Sequence, residues 1–470
     1  MLLPIGEMEK RLASVGVGEL YLTVMQKFRR EFPECHDVGV VRAPGRVNII
    51  GEHTDYNGLP VMPMAIDREI VIAFSPDNSG TVEVVATDDT YPKAHFALSG
   101  NIPKFETGHW VNYIKAAAQA VWNWASVHCP DRLPLSGAKL CVGGNIPPGS
   151  GLSSSSALVV ASALVFARDL NIDRVELAEL LAKGERYVGT EGGGMDQAAS
   201  LMGKAGNALK IDFFPLRIRP VSLPHGCLIA VANSMVAASK TGAARIAFNT
   251  RVVECRLGLE LLKHISKHRN PRVVEATLLK DYVCLEPDWR AALDSLPDGP
   301  LTVAQIADVV GVAEGELRRR CLTLRDGSQL TEPKNGFQPK KRCLHVLTEA
   351  DRVERAAQAA GRGDAVELGR LMNESHSSCA ENYEISCPEL DCLVDLLRRH
   401  GALGARLTGA GFGGCAVALV RQEEAPGLLE AVWTDYYRQF LPTRGLPTPS
   451  QREHVLFVTK AVDGACVIEV

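Results

Sequence analysis

The spacing of apolar and polar positions predicts a chain that mixes helices and strands from its first hundred residues onward. Leu20 to Arg30 repeats apolar residues at helical spacing, and the runs Val38 to Val41 and Val47 to Ile50 read as strands flanking a Pro44-Gly45 turn. Strand-like runs Ile70 to Phe74 and Val82 to Ala86 precede a helix over about Trp110 to Val127 and a further strand near Lys139 to Val142. This order is α+β rather than a regular βαβ alternation. A glycine- and serine-rich stretch, Gly143 to Ser156, then runs straight into an apolar helix, Ala157 to Arg168. Asp173 and Glu176 have capping-box spacing and predict a helix continuing through Arg186. Its stripe Leu177, Leu180, Leu181 and Gly184 extends to Glu185, which points that carboxylate inward while Glu176, Glu179 and Lys183 face water. An inward acid needs a partner.

After Leu223-Pro224 the pattern restarts with a strand, Cys227 to Ala232, and a helix, Ala243 to His264, which divides the chain into domains 1–225 and 226–470. Proline and glycine then surround two short helices, Thr302 to Val310 and Ala313 to Cys321, and the stretch of about 286–342 reads as an insertion. Two helices joined at Gly311, with Arg318, Arg319 and Arg320 beyond, have the outline of a DNA-reading unit. A solvated surface insertion is the reading adopted, because the whole chain is acidic. Helices over Arg352 to Gly361, Ala365 to His376 and Leu390 to His400 follow, and strands Ala405 to Leu407 and Cys415 to Val420 are joined by the glycine-rich stretch Thr408 to Gly414.

Composition narrows the function. With 470 residues, 46% of them hydrophobic and 23% charged, the chain can bury two sizeable cores. The net charge of -4 supplies no pull toward nucleic acid or acidic membranes, so small-molecule partners are expected. The 13 cysteines include no C-x-x-C pair, which favours reduced thiols over disulfides or zinc. Met1 to Glu7 has no basic leader ahead of an apolar run, and the longest apolar stretch, Ala157 to Ala167, is too short to cross a bilayer. A cytoplasmic monomer is the resulting expectation.

Three clusters could carry chemistry. In the serine and glycine loop, closely spaced glycines let backbone N–H groups approach an anion, and the following helix adds its positive end; the same residues could form only a flexible turn with helix caps. It is neither a Walker A loop nor a dinucleotide fingerprint. Arg42 to Gly58 concentrates Glu52, His53 and Asp55 beside an Asn57-Gly58 turn, a set that suits a polyol but is also common at surface turns. Glu191 to Gln197 places Asp196 behind three glycines, as an N-cap or as a base beside a substrate.

Together with Leu407 to Cys415, these stretches closely resemble the galactokinase family within the GHMP kinase superfamily. Arg46 to Asn57 is similar to that family's signature, and Pro147 to Ala157 to the superfamily's ATP loop. The resemblance implies two domains, an N-terminal one like ribosomal protein S5 and a ferredoxin-like C-terminal one, with the active site in the cleft between them. It implies ATP as phosphoryl donor, Mg²⁺, and a sugar phosphorylated at its C1 hydroxyl. Carried over by position, Asp196 would be the catalytic base and Arg46 its charge partner. Glu52, His53, Asp55 and Gly193 would hold the sugar; Gly149, Gly151, Ser153, Ser154 and Ser155 would cradle the triphosphate, with Gly411 closing the site. Ser155 and Glu185 match the family's Mg²⁺ ligands. Phe248 stands where galactokinases carry a tyrosine near the sugar, a replacement that resembles the N-acetylgalactosamine kinase branch.

Overall fold

The computed structural model describes residues 2–14, 18–188, 192–237, 243–324 and 326–468, without the side chains of Glu185, Arg186 and Ala243. Its larger sheet has seven strands, ordered Leu3–Pro4, Asp37–Ile50, Met62–Asp77, Gly137–Gly144, Thr81–Ala86 and Ala94–Ala97, with Cys466–Val467 also pairing with Asp37–Ile50. All neighbours are antiparallel except Thr81–Ala86 beside Gly137–Gly144. Four antiparallel strands form the second sheet, ordered Gly404–Thr408, Cys415–Arg421, Cys227–Asn233 and Leu456–Thr459. This is an α+β architecture.

Helices Val111–His128 and Ser154–Phe166 cover the first sheet. Ser154–Phe166 buries residues all round its circumference, which is why its sequence carries no polar face. That helix is therefore a rigid base for the loop preceding it.

The expected Pro44-Gly45 turn is instead the middle of one continuous strand, Asp37–Ile50, because Met62–Asp77 supplies hydrogen-bond partners on both sides of it. The ladder slips between Pro44 and Arg46, an irregularity of the kind that re-aims a side chain. The chain's last described strand, Cys466–Val467, crosses back to Val41 and Arg42, so the first sheet draws on both ends of the sequence.

The 286–342 stretch differs from the solvated insertion expected of it. Val303, Ile306, Leu317, Leu322, Leu330 and Phe337 are buried in the second core, packed with the helix Ala243–Ser266. Thr302 and Gln305 form the expected capping box. Arg318 pairs with Glu314 and Glu332, and Arg320 with Glu260 and Glu316, so those cations are turned to carboxylates on the same fold. The helix after it begins at Pro339, not near Arg352, and runs to Gly361. Proline at the first helical turn starts a helix without needing its N–H, and that start falls in a stretch of Lys and Arg that reads as loop.

All 13 cysteines are free thiols. Among the described residues no helix is long and apolar enough to cross a membrane.

Candidate active site

Two cavities meet at one ion pair. The strand irregularity at Pro44/Arg46 turns Arg46 inward, and its Nε donates to Asp196 Oδ1 at 2.8 Å from 150 residues away in sequence. Arg46 Nη1 donates to Gly151 O at 2.6 Å, and the Arg46 N–H to Leu152 O at 3.1 Å, so the same residue pins the serine loop. Asp196 sits in the first turn of the helix Met195–Met202, whose N-cap is Gly194. Asp196 is therefore not the N-cap. Its Oδ2 accepts from Ser153 Oγ and, at 3.4 Å, from Ser156 Oγ.

On one side of this pair lies a cavity lined by Glu52, His53, Asp55, Tyr56, Phe248 and the segments Gly192 to Gln197 and Gly409 to Phe412. Asp55 Oδ2 accepts the Gly193 N–H at 3.1 Å. A Cβ on Gly193 would stand 2.5 Å from Asp55 C and Tyr56 N, so only glycine permits this approach. Burial, with the charge of Asp196 added, raises the Asp55 carboxyl from 3.8 to about 6. Burial also pushes Glu52 up, with Arg406 and Arg46 opposing it. The Glu52 Oε1 accepts from the Gly409 N–H at 2.8 Å and from Arg406 at 3.2 Å.

His53 is held neutral, since burial lowers it to about 3. Its Nε2 faces Ala410 O at 3.1 Å and its Nδ1 faces Tyr56 Oη at 2.8 Å. A carbonyl can only accept, so the proton lies on Nε2, and Nδ1 accepts from Tyr56, which accepts in turn from Tyr383 at 2.7 Å. The ring thus ties the second domain's loop to the first. Phe248 packs its ring 5.1 Å from that of His53 and 5.8 Å from that of Tyr56.

On the other side runs a groove lined by Gly149, Gly151, Ser153, Ser154, Ser155, Arg46, Asp196 and the aromatic residues Tyr91, Trp110 and Tyr113. The helix Ser154–Phe166 begins on this groove, presenting its N-terminal amides and positive dipole end. Ser153 is the N-cap, with φ 62°, but makes no side-chain cap; its hydroxyl goes to Asp196 instead. Capping is thus not what the first of the serines does.

The expected residues Arg46, Glu52, His53, Asp55, Gly193, Asp196 and Phe248 line the first cavity, and the serine-loop residues line the second. Gly411, expected beside the triphosphate, lines the first cavity, while Ala410 lines both. The side chain of Glu185 and all of Glu191 lie outside the described residues. Sequence reasoning missed Gln197 and Asn249, which line the first cavity and bury Nε2 and Oδ1, respectively, without a hydrogen-bond partner. It also missed the aromatic wall, for which Tyr91 and Trp110, in contact at 5.6 Å, were the available signal.

The sequence profile of the galactokinase galactose-binding signature matches residues 26–76, and those of the GHMP kinase N-terminal and C-terminal domains match 112–204 and 356–439. Over 457 residues the chain is 33% identical to a protein from Dictyostelium discoideum named galactokinase, covering 91% of this chain and 89% of that one. The chain belongs to the galactokinase family. A crystal structure of Lactococcus lactis galactokinase complexed with galactose superposes with a TM-score of 0.73 at 27% identity, covering 94% of this chain and 98% of that one. Mevalonate kinase from Methanococcus jannaschii shares the fold at a TM-score of 0.53 and 16% identity, covering 90% of this chain and 98% of that one. The two-domain GHMP architecture read from the resemblance is thereby established for this family member.

Proposed function

We propose that the protein is a galactokinase that transfers the γ-phosphoryl group of ATP to the C1 hydroxyl of galactose. The observation that carries this reading is the Arg46–Asp196 pair at the junction of the cavity lined by Glu52, His53 and Asp55 and a groove with an anion-binding helix end. With the sugar in the first and the triphosphate in the second, Asp196 would face the anomeric hydroxyl. The C1 oxygen attacks the γ-phosphorus, the bond to the β,γ-bridging oxygen breaks, the hydroxyl proton passes to Asp196, and ADP leaves. Arg46 offsets the negative charge gathering on the transferred group. Positioning and charge neutralisation supply most of the rate in such a transfer, with proton removal a smaller part.

Glu52, His53, Asp55, Gly193 and Phe248 form the sugar side in this reading, and Gly149, Gly151, Ser153, Ser154 and Ser155 the phosphate cradle. Tyr91, Trp110 and Tyr113 are the wall against which a purine would stack. Mg²⁺ is expected beside the nucleotide phosphates, the hard oxygen donors it favours. Ser155 and Glu185 would hold Mg²⁺ there, where it neutralises phosphate charge. A cytoplasmic monomer remains the expectation, since 13 scattered cysteines with no C-x-x-C pair favour reduced thiols.

The test is ADP release by purified protein with galactose, N-acetylgalactosamine and glucose. Galactose is expected to be turned over with the highest kcat/KM; no ADP with any sugar would overturn the reading. A second reading, an N-acetylgalactosamine kinase, is favoured by Phe248, which offers the sugar no hydroxyl. Under that reading the N-acetyl sugar leads the panel, and Phe248→Tyr shifts preference toward galactose.

Asp55 makes the sugar side pH-dependent. As a carboxylate it accepts sugar hydroxyls, and it protonates at about 6 in the free protein. The kcat/KM for the sugar is expected to be flat above that pH and to fall about tenfold per unit below it. Stability runs the other way: a carboxyl raised from 3.8 to about 6 favours the folded state below 3.8, and that contribution is lost as pH rises through 6. Asp55→Asn is therefore expected to raise the melting temperature of ligand-free protein at pH 8 while weakening sugar binding. An acidic limb near pH 4 would contradict the assignment.

A further inference from the structure

The turn that carries Glu52 and His53 rests on a buried polar cluster that phosphoryl transfer itself does not use. Arg406, on the strand Gly404–Thr408, is fully buried. It donates through Nη1 to Asn48 O at 2.9 Å and to Glu52 Oε1 at 3.2 Å, and through Nε to Ser375 Oγ at 3.1 Å. Ser375 Oγ in turn donates to Glu349 Oε1 at 2.5 Å. That same oxygen accepts the backbone N–H groups of Gly51 at 2.8 Å and Glu52 at 3.4 Å, while Glu349 Oε2 accepts from Arg352 Nε at 2.7 Å. His345 completes the set, facing Glu52 O at 3.1 Å and Ser378 Oγ at 2.9 Å.

Three elements place the groups of this cluster. His345, Glu349 and Arg352 come from the helix Pro339–Gly361, Ser375 and Ser378 from Ala365–Ser378, and Arg406 from the second sheet. All of them converge on Asn48 to Glu52 of the first domain. Burial would raise the Glu349 carboxyl, but Arg352, His345 and Arg406 around it outweigh that and bring it to about 2. Apolar residues of the same volume would stabilise such an interface at least as well, so ionic groups here call for a role other than stability.

The turn they hold is strained. His53 is a non-glycine residue at φ 61°, and Gly51 at φ 102° sits so close to Val61 Cα that an added Cβ would stand 2.8 Å away. Such backbone persists only where surrounding contacts over-determine it. Glu52 Oε1 is shared between Arg406 and the Gly409 N–H, so the cluster fixes the carboxylate that lines the sugar cavity.

We propose that Glu349, Ser375 and Arg406 are positioning residues for sugar capture: without touching the sugar, they fix the orientation of Glu52 and of the strained turn after it. The inference rests on the sugar-kinase reading. Loss of the cluster lets Glu52 and the turn sample other orientations, which weakens sugar binding while leaving the phosphate cradle in place. A cluster that served only stability would lower the melting temperature and the active fraction without separating the two Michaelis constants.

The experiment is steady-state ADP release by the full chain for Glu349→Gln, Ser375→Ala and Ser375→Thr, with melting temperatures recorded alongside. For Ser375→Ala the sugar KM is expected to rise about fivefold, and for Glu349→Gln about tenfold, with the ATP KM within about twofold of wild type. Ser375→Thr keeps a hydroxyl and should restore the wild-type sugar KM. Should Glu349→Gln fail to fold, the two serine variants decide. A Ser375→Ala enzyme with unchanged sugar KM, or one whose sugar and ATP constants rise together, overturns the inference. A wild-type protein that phosphorylates no sugar overturns the proposed function instead.

Discussion

Asp196→Asn is expected to lower kcat by about 10³-fold, the scale of a lost general base, while the protein keeps its fold and binds both substrates. The substitution removes the charge and the proton-accepting capacity but preserves shape. An amide oxygen can still accept from Arg46 Nε, and the amide nitrogen can donate to the Ser153 hydroxyl that now donates to Oδ2. Arg46, 6% exposed, would be left without a full opposite charge and so would be less firmly aimed at the phosphoryl group. Single-turnover transfer, together with sugar affinity measured by calorimetry and a melting curve, checks this. Turnover within tenfold of wild type would remove Asp196 from the base role.

Gly193→Ala is expected to reduce kcat/KM for the sugar by about 10²-fold through the sugar KM, leaving ATP affinity near wild type. The added methyl would meet Asp55 C and Tyr56 N at 2.5 Å, and Asp55 Cγ at 2.6 Å. Two of those atoms are backbone in a buried segment, so they cannot swing aside as a flexible side chain would. Either the Gly192 to Gly194 segment or the Asp55 turn must move, and the 3.1 Å bond between Gly193 and Asp55 breaks in both cases. The groove on the nucleotide side contains neither residue. Separate Michaelis constants for sugar and ATP provide the check, and a sugar constant within about threefold of wild type would show that the wall yields more readily than its packing implies.

Local pattern made the helix Ser154–Phe166 legible, because its apolar residues occupy every face and a glycine-rich loop leads straight into it. The candidate site residues are legible as motifs: Arg46, Asp55, Gly193 and Asp196 sit in short runs whose resemblance to a family supplies the roles proposed for them. What lies beyond such runs was harder to read. Asp37–Ile50 looked like two strands because Pro44 and Gly45 punctuate it locally, and only pairing with Met62–Asp77 makes it one. His345, Glu349 and Arg352 follow one another at helical spacing, yet in isolation a charged stripe reads as a solvated face. Their burial comes from Arg406 and Glu52, more than fifty residues away on one side and nearly three hundred on the other. The return of Cys466–Val467 to the first sheet is likewise non-local.

A crystal structure with galactose and a non-hydrolysable ATP analogue tests the central claim most directly. The account predicts the C1 oxygen of the sugar within hydrogen-bond reach of the Asp196 carboxylate, about 3 Å, with Arg46 between that carboxylate and the γ-phosphate. A sugar whose C1 faces away from Asp196, or a complex in which Arg46 and Asp196 have separated and the nucleotide lies outside the Gly149 to Ser155 cradle, would contradict it.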